Sequence, residues 1–215
     1  MRKPLISGNW KMHHDHYQAI QVTQKLSYQL DKTDYERVEV VICPPFTDLR
    51  SLQTIIDADS LPIALGAQNC HFEESGAFTG EISPVFLAKL GVRYVIVGHS
   101  ERRSIFGESD AEVAAKFAAT VKAGLTPILC VGETLHEREA GVTEKVVSRQ
   151  LEAVIGHLNN DGHLGRCFRK SWHGNPAVLL SVVGYKLRPI LRWFRALLRL
   201  IAIACLATSM NGTRA

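Results

Sequence analysis

The chain has 215 residues, 46% of them hydrophobic, and a formal net charge of +4, so it is long enough to bury one sizeable core. Its five cysteines are widely spaced and form no CxxC pair, a pattern that fits a reducing, cytoplasmic location better than a disulfide framework or a zinc site. The first apolar run is too short for a signal-peptide core, and no apolar run approaches the length of a membrane-spanning helix.

Five short runs rich in Val, Ile and Leu predict strands that are buried on both faces. In chain order they are PLISGNW at 4–10, VEVVICP at 38–44, PIALGAQN at 62–69, YVIVGH at 94–99 and LTPILCVG at 125–132. Helix-length stretches separate them, and N-cap or capping-box signals stand at Ser83–Pro84, Ser109–Glu112 and Thr134–Glu137. This alternation predicts an α/β fold in which helices cover a parallel sheet.

The repeat length is compatible with one parallel α/β fold in particular, the (β/α)₈ barrel. Five βα units of roughly 31 residues end by about residue 157, and eight such units make a (β/α)₈ barrel of about 250 residues. Neither a GxGxxG fingerprint nor a GxxxxGK[ST] loop follows any strand, so the two common nucleotide-binding interpretations have no support. The sequence therefore predicts five units of a barrel, with the last three strands replaced or missing.

Polar residues stand at the carboxyl ends of three of the predicted strands, which is where active sites lie in parallel α/β folds. Asn9 and Lys11 follow the first strand, His99 and Glu101 the fourth, and Cys130 and Glu133 close the fifth. These groups could together bind and polarise an oxyanion, with Glu101 holding the Lys11 ammonium. Taken one at a time, each has a structural alternative: a solvated turn for Asn9 and Lys11, a cap or packing role for His99, and a small buried residue for Cys130.

The histidines offer two further hypotheses. A short helix should begin at His99, and the positive end of that helix disfavours imidazolium, so we expect a neutral ring that donates a hydrogen bond. His13, His14 and His16 surround Asp15 in a pattern that could hold a metal. Because they precede a helix, we favour a solvated helix start there and expect no metal.

Four strings of residues then resemble triosephosphate isomerase over roughly residues 3–166. They are SGNWKM at 7–12, GAQNCHFEESGAFTGEIS at 66–83, VIVGHSERR at 95–103 and ILCVGET at 128–134. The resemblance implies a TIM (β/α)₈ barrel that interconverts dihydroxyacetone phosphate and D-glyceraldehyde 3-phosphate, in glycolysis and gluconeogenesis, without a cofactor. It also implies a homodimer and no nucleic-acid partner.

Carried over residue by residue, the resemblance assigns roles to the strand-end side chains. Asn9 and Lys11 would bind substrate, and Glu101 would pair with Lys11. His99 would be the electrophile, and a neutral histidine is the established arrangement in that family. Cys130 would support the site from behind. Thr79, in the loop 66–83, would contact Asn9 of the partner subunit.

The resemblance stops near Arg166. All 21 acidic residues lie at or before Asp161, and residues 162–215, named here the basic segment, carry nine Lys or Arg. The family takes its proton with the glutamate of a Tyr-Glu-Pro-x-Trp segment and grips phosphate with a Gly-Gly pair, and neither motif is present. We therefore expect an isomerase-like domain at 1–166 and a divergent, basic 167–215. The general base would be missing and activity impaired; the alternative is a truncated, catalytically silent family member that acts at most as a dimer partner.

The basic segment contains one helical pattern, at 187–206. Arginines recur on one side and apolar residues on the other: Arg188, Arg192, Arg195 and Arg199 face Leu187, Ile190, Leu191, Phe194, Leu197, Leu198 and Ile201. Such a helix could lie on an anionic membrane or bind an acidic partner. Because a purposeful membrane helix would not require loss of the active site, we favour accidental sequence, produced by an out-of-frame reading, over a membrane helix.

Overall fold

A computed structural model describes residues 3–160 and the backbone of residues 181–182. Five strands form in the described part at the positions that the apolar runs predict. They are β1 (Leu5–Asn9), β2 (Glu39–Cys43), β3 (Ile63–Ala67), β4 (Tyr94–Val97) and β5 (Thr126–Val131). Every neighbouring pair is parallel, and the strands follow one another in the sheet in chain order. This is the succession expected of a (β/α)₈ barrel segment, so the predicted fold class is confirmed.

Helices connect the strands, as a parallel sheet requires. They are α1 (His16–Gln29), α2 (Lys32–Arg37), α3 (Leu49–Ala58) after a 3₁₀ turn at Phe46–Asp48, α4 (Pro84–Lys89), α5 (Ser100–Ser104), α6 (Asp110–Lys122), α7 (Leu135–Glu139) and α8 (Thr143–Asn160). The predicted start signals are confirmed: Ser83 caps α4, and the boxes Ser109–Glu112 and Thr134–Glu137 open α6 and α7. Asp15 caps α1 through a box with Gln18, which accounts for the histidine-rich segment as a helix start.

A sixth strand was not predicted. The two residues of β6 (Ser181–Val182) pair in parallel with Cys130 and Val131 of β5. A two-residue strand is too short to give an alternating pattern, so the sequence carries no local signal for it. The remaining predictions for the basic segment, including the helix at 187–206, lie outside the described residues.

The inner face of the curled sheet carries one apolar cluster. Alternate residues of neighbouring strands point to the same face, and the buried members are Val41, Cys43, Ala64, Tyr94, Ile96, Ile128 and Cys130, with Leu5 packed against them. The other face of β2 to β5 packs against helices, where Leu52 of α3 and Phe117 of α6 are buried. These four strands are therefore buried on both faces, as the sequence predicts.

The expectation of two buried faces is wrong for β1. Ile6 is 57% exposed, because in the described part of the chain β1 pairs with β2 alone and lies at the sheet edge. An apolar run predicts burial only where further elements cover it.

Among the described residues there is also no helix long and apolar enough to cross a membrane.

Candidate active site

The curl of the sheet brings together two strand ends that are distant along the chain. Lys11 Nζ lies 2.5 Å from Glu101 Oε1, although 90 residues separate them. The strands that carry them, β1 and β4, are three positions apart in the sheet. In a flat sheet that separation is about 14 Å at the usual strand spacing. Curvature of the sheet and two long side chains are therefore both needed for the contact.

Lys11 is held by hydrogen bonds on both sides of its backbone. Its φ is 54°, in the left-handed region that costs a residue with a Cβ about 1–2 kcal/mol. The Lys11 N–H donates to Asn9 Oδ1 at 3.0 Å, and Gln68 Nε2 donates to the Lys11 carbonyl at 2.7 Å. Asn9 thus has a local role in shaping the turn that presents the ammonium group.

His99 caps α5 and faces the same cluster. Its Nδ1 accepts a hydrogen bond from the Glu101 N–H at 3.2 Å, and its side chain is only 12% exposed. Burial lowers the pKa of His99; the Lys11 charge lowers it further, and the Glu101 carboxylate opposes both. The position of His99 at a helix N-terminus predicted a lowered pKa, but the largest cause of the lowering in the structure is burial. Because Nδ1 is an acceptor, the neutral ring carries its proton on Nε2, where it can be donated.

Glu101 supplies the negative charge of the cluster. The hydrogen bond from Lys11 is the largest cause that lowers the pKa of its carboxyl, so the group is ionised at neutral pH. Both side chains of the Lys11–Glu101 pair are about half exposed, at 51% and 41%. An exposed pair of this kind adds at most about 1 kcal/mol to stability. Its contribution is orientation of the ammonium group.

The side chains at the end of β5, Cys130 within the strand and Glu133 after it, make structural contacts. Cys130 is 3% exposed within the inner apolar cluster, and its carbonyl accepts from Arg103 Nη2 at 3.5 Å. Glu133 was expected to converge on the site, but its carboxylate accepts from Arg138 Nε at 2.7 Å and is engaged by α7. Thr79 lies in an exposed stretch, 72–81, well removed along the chain from the strand ends.

Two supporting residues were missed by the sequence argument. Gln68 follows β3 directly and reaches the Lys11 carbonyl, while Arg103 Nε donates to the Gly98 carbonyl at 2.8 Å and so holds the turn before His99. The rule that polar residues at strand ends are candidates would have found Gln68. No comparable local signal marks Arg103, whose guanidinium also pairs with Asp110 at 2.6 Å, because its contacts with the Gly98 and Cys130 carbonyls depend on the fold.

The strand-end cluster (Asn9, Lys11, His99 and Glu101) therefore offers an oriented ammonium group beside a neutral imidazole that can donate through Nε2. Such a pair can balance the charge of a phosphate and stabilise an oxygen that becomes negative during reaction. Among the residues that the structure describes, no group of three or more His, Cys, Asp or Glu is placed to hold a metal ion.

Comparison with known proteins gives consistent matches over the same part of the chain. The family model for triosephosphate isomerase matches residues 4–164. The triosephosphate isomerase of Mycobacteroides abscessus is 57% identical over 140 residues, which are 65% of this chain and 54% of that protein. Those of Mycobacterium tuberculosis and Mycolicibacterium vanbaalenii are 54% and 56% identical, over 73% and 74% of this chain and 59% and 60% of theirs. The chain thus spans less than two thirds of the length of these relatives.

Proposed function

Because the chain belongs to the triosephosphate isomerase family, we propose that the strand-end cluster binds a triose phosphate for interconversion of dihydroxyacetone phosphate and glyceraldehyde 3-phosphate. The observation that carries the proposal is the 2.5 Å contact between Lys11 Nζ and Glu101 Oε1, beside a neutral His99. Three groups of suitable chemistry meet there at the carboxyl ends of parallel strands, the usual position of ligand sites in such folds.

The chemistry of the reaction accounts for each group. Removal of a proton from the carbon beside the carbonyl converts the substrate to an enediolate, and negative charge develops on the carbonyl oxygen. The Lys11 ammonium balances that charge and the charge of the phosphate, while His99 Nε2–H donates to the oxygen. A single donor of this kind contributes about 10²–10³-fold to turnover in enzymes of related design.

We also propose that turnover by this chain is low. The basic segment has no carboxylate side chain, whereas the family takes its proton with a glutamate at the corresponding stage of the chain. A positioned general base contributes about 10²–10⁴-fold. The domain at 1–166 would then bind substrate and polarise its carbonyl without completing the proton transfer efficiently.

The test separates binding from turnover. Dihydroxyacetone phosphate should bind, and Lys11→Met should weaken binding at least about tenfold, as expected for loss of a charge-assisted contact. Lys25→Met, which removes the same charge from the exposed face of α1, is the matched control and should leave binding unchanged. Turnover should be at least about 100-fold below that of an intact family member. Binding that is indifferent to Lys11 would overturn the site, and turnover within tenfold of the intact enzyme would overturn the impairment.

A second candidate function is that of a catalytically silent dimer partner. The stretch 72–81 is exposed, with Phe72 and Phe78 at 38% and 43%, and the His71 ring stacks on Phe72 and lies tilted against Phe78. We propose that the loop 66–83 forms a homodimer contact, with Thr79 approaching Asn9 of the partner subunit. Co-expression with an intact family member and capture through a tag on one chain tests the silent role. Recovery of homodimers alone would count against it.

We place the protein in the cytoplasm. Cys43, Cys70 and Cys130 are free and buried, a usage typical of reducing compartments. Fractionation of cells with an antibody to the chain checks this assignment, and recovery in a membrane or secreted fraction would contradict it.

A further inference from the structure

The turn before His99 packs directly against the side chain of Arg103. Gly98 has a φ of 69°, which favours glycine, and a Cβ built there would lie 2.8 Å from Arg103 Nη2 and 3.2 Å from the Cys130 carbonyl oxygen. The same guanidinium group donates through Nε to the Gly98 carbonyl at 2.8 Å. The orientation of the peptide that leads into His99 therefore depends on where the guanidinium group lies.

One carboxylate holds the guanidinium group in this place. Arg103 Nη1 donates to Asp110 Oδ1 at 2.6 Å, and the two side chains are 15% and 23% exposed. A long side chain loses rotamer freedom when it is fixed, so an arginine without this partner would sample other positions. A short hydrogen bond between two charged groups is among the strong polar contacts of a protein. Asp110 therefore supplies a contact that keeps Arg103 beside Gly98.

The other oxygen of the Asp110 carboxylate is bonded from a different helix. Arg149, on α8, donates through Nε to Asp110 Oδ2 at 2.9 Å, although 39 residues separate the two along the chain. Asp110 is the first residue of α6, so its backbone is fixed by the helix. Because each carboxylate oxygen has its own arginine donor, rotation of the carboxylate would break one bond or the other.

We propose that Asp110 is a positioning residue for His99, because its carboxylate holds the Arg103 guanidinium group against the turn that presents the imidazole. The bond from Arg149 keeps that carboxylate in the required orientation. The inference rests on the proposed function only for the use to which His99 is put. It deepens that function by assigning the orientation of the imidazole to contacts that reach α6 and α8, distant from the reacting atoms.

A carboxylate in the first turn of a helix also has an ordinary role. Asp110 and Glu112 both lie in the first turn of α6, where the helix dipole stabilises negative charge. That role alone would stabilise α6 without any effect on His99. Titration of His99 separates the two roles, because its pKa is lowered mainly by burial. A turn that relaxes would expose the ring and raise that pKa.

The experiment compares Asp110→Asn with Glu112→Gln in the full chain by nitrogen-15 NMR titration of His99. Glu112→Gln is the matched control, since it removes a carboxylate from the same helical turn, and that carboxylate accepts from Ser109. In Asp110→Asn the midpoint of His99 should rise toward its ordinary value of 6.5, whereas in Glu112→Gln it should stay low. Loss of a negative charge by itself would lower the midpoint, so the expected direction is opposite to the simple electrostatic effect.

Two further measurements complete the design. The pKa of Glu137 is lowered by the α7 capping box with Thr134, so a low Glu137 midpoint verifies that a variant is folded. In an Arg103→Met background, Asp110→Asn should produce no further rise, because the group through which Asp110 acts is gone. An unchanged or lower His99 midpoint in folded Asp110→Asn, or equal rises with and without Arg103, would overturn the proposal.

A measurement on the unmodified chain keeps the inference testable if Asp110→Asn does not fold, which would appear as a Glu137 midpoint at its ordinary value of 4.5. Rotation about the Nε–Cζ bond of Arg103 should be slow, because Nη1 is bonded to Asp110, so its two Nη groups should give separate nitrogen-15 signals. Those of exposed Arg37 on α2 should average to one. Averaged Nη signals for Arg103 would overturn the proposal. Neither measurement involves a triose phosphate, so a failure of the proposed function would leave both results interpretable.

Discussion

Gly66 lies where the inner face of the sheet has no room for a side chain. A Cβ built at this position of β3 would overlap Cys43 Sγ and would lie 3.1 Å from Val41 Cγ1. Both neighbours are almost completely buried, at 0% and 1% exposed, so neither can move into solvent. Gly66→Ala therefore forces overpacking directly against Cys43, the last residue of β2.

The magnitude follows from two opposing effects. Overpacking of a well-packed core costs about 1–3 kcal/mol. An alanine also lowers the conformational entropy of the unfolded chain, which stabilises the folded state by about 0.4–1 kcal/mol where the native backbone conformation suits alanine. We expect a net loss of about 1–2 kcal/mol in the free energy of unfolding, measured by urea denaturation with an unchanged slope. Gly132→Ala is the matched control: nothing lies within 4 Å of its added Cβ, so it should be neutral or slightly stabilising.

Removal of the thiol should relieve the overlap. Cys43→Ala deletes the sulfur that the new methyl group meets, so the double variant should lose less stability than the sum of the two single variants, by about 1 kcal/mol or more. A loss below about 0.5 kcal/mol in Gly66→Ala, or strict additivity in the double variant, would refute the packing argument.

Three further predictions follow. The pKa of His99 is lowered by burial from its ordinary 6.5, so the unfolded chain binds more protons in the interval below pH 6.5. The contribution of neutral His99 to the free energy of unfolding therefore has its full value above pH 6.5 and is lost as the pH falls through the pKa of His99 in the folded chain. An imidazole nitrogen-15 titration with a midpoint near 6.5 or above would contradict this. Ser109→Ala should cost about 1 kcal/mol of unfolding free energy through loss of the α6 cap, whereas Ser104→Ala, outside any cap, should be close to neutral. Translation of the other two reading frames beyond codon 160 should reveal Tyr-Glu-Pro-x-Trp and a later Gly-Gly; neither motif in either frame would defeat the out-of-frame hypothesis.

The parts of the fold that local sequence determines were predictable. Apolar runs located β1 to β5, and the caps at Ser83, Ser109 and Thr134 located three helix starts, because each signal involves residues within a few positions of one another. The partial exposure of β1 was not predictable, because the exposure of Ile6 depends on which elements cover the edge of the sheet. The two-residue β6 lacks any periodic signal.

The candidate site also has one part that the sequence predicted and one part that it did not. That Asn9, Lys11, His99 and Glu101 stand at strand ends follows from the predicted strands. Their convergence depends on the curl of the sheet, which the family resemblance implied and no local pattern encodes. The ion pair between Glu133 and Arg138 and the hydrogen bond from Gln68 to the Lys11 carbonyl were not predictable, because both contacts form only when the chain is folded.

The central claim is that Lys11 and neutral His99 polarise the carbonyl of a bound triose phosphate. Infrared difference spectroscopy of dihydroxyacetone phosphate, carbon-13 labelled at the carbonyl, measures this directly, since donation to the oxygen weakens the C=O bond and lowers its stretching frequency. We predict a lower frequency for the bound carbonyl than for the same molecule in water, and a clearly smaller shift in His99→Ala with binding retained. A bound carbonyl that absorbs at the frequency in water, or a shift of undiminished size in His99→Ala, would contradict the account.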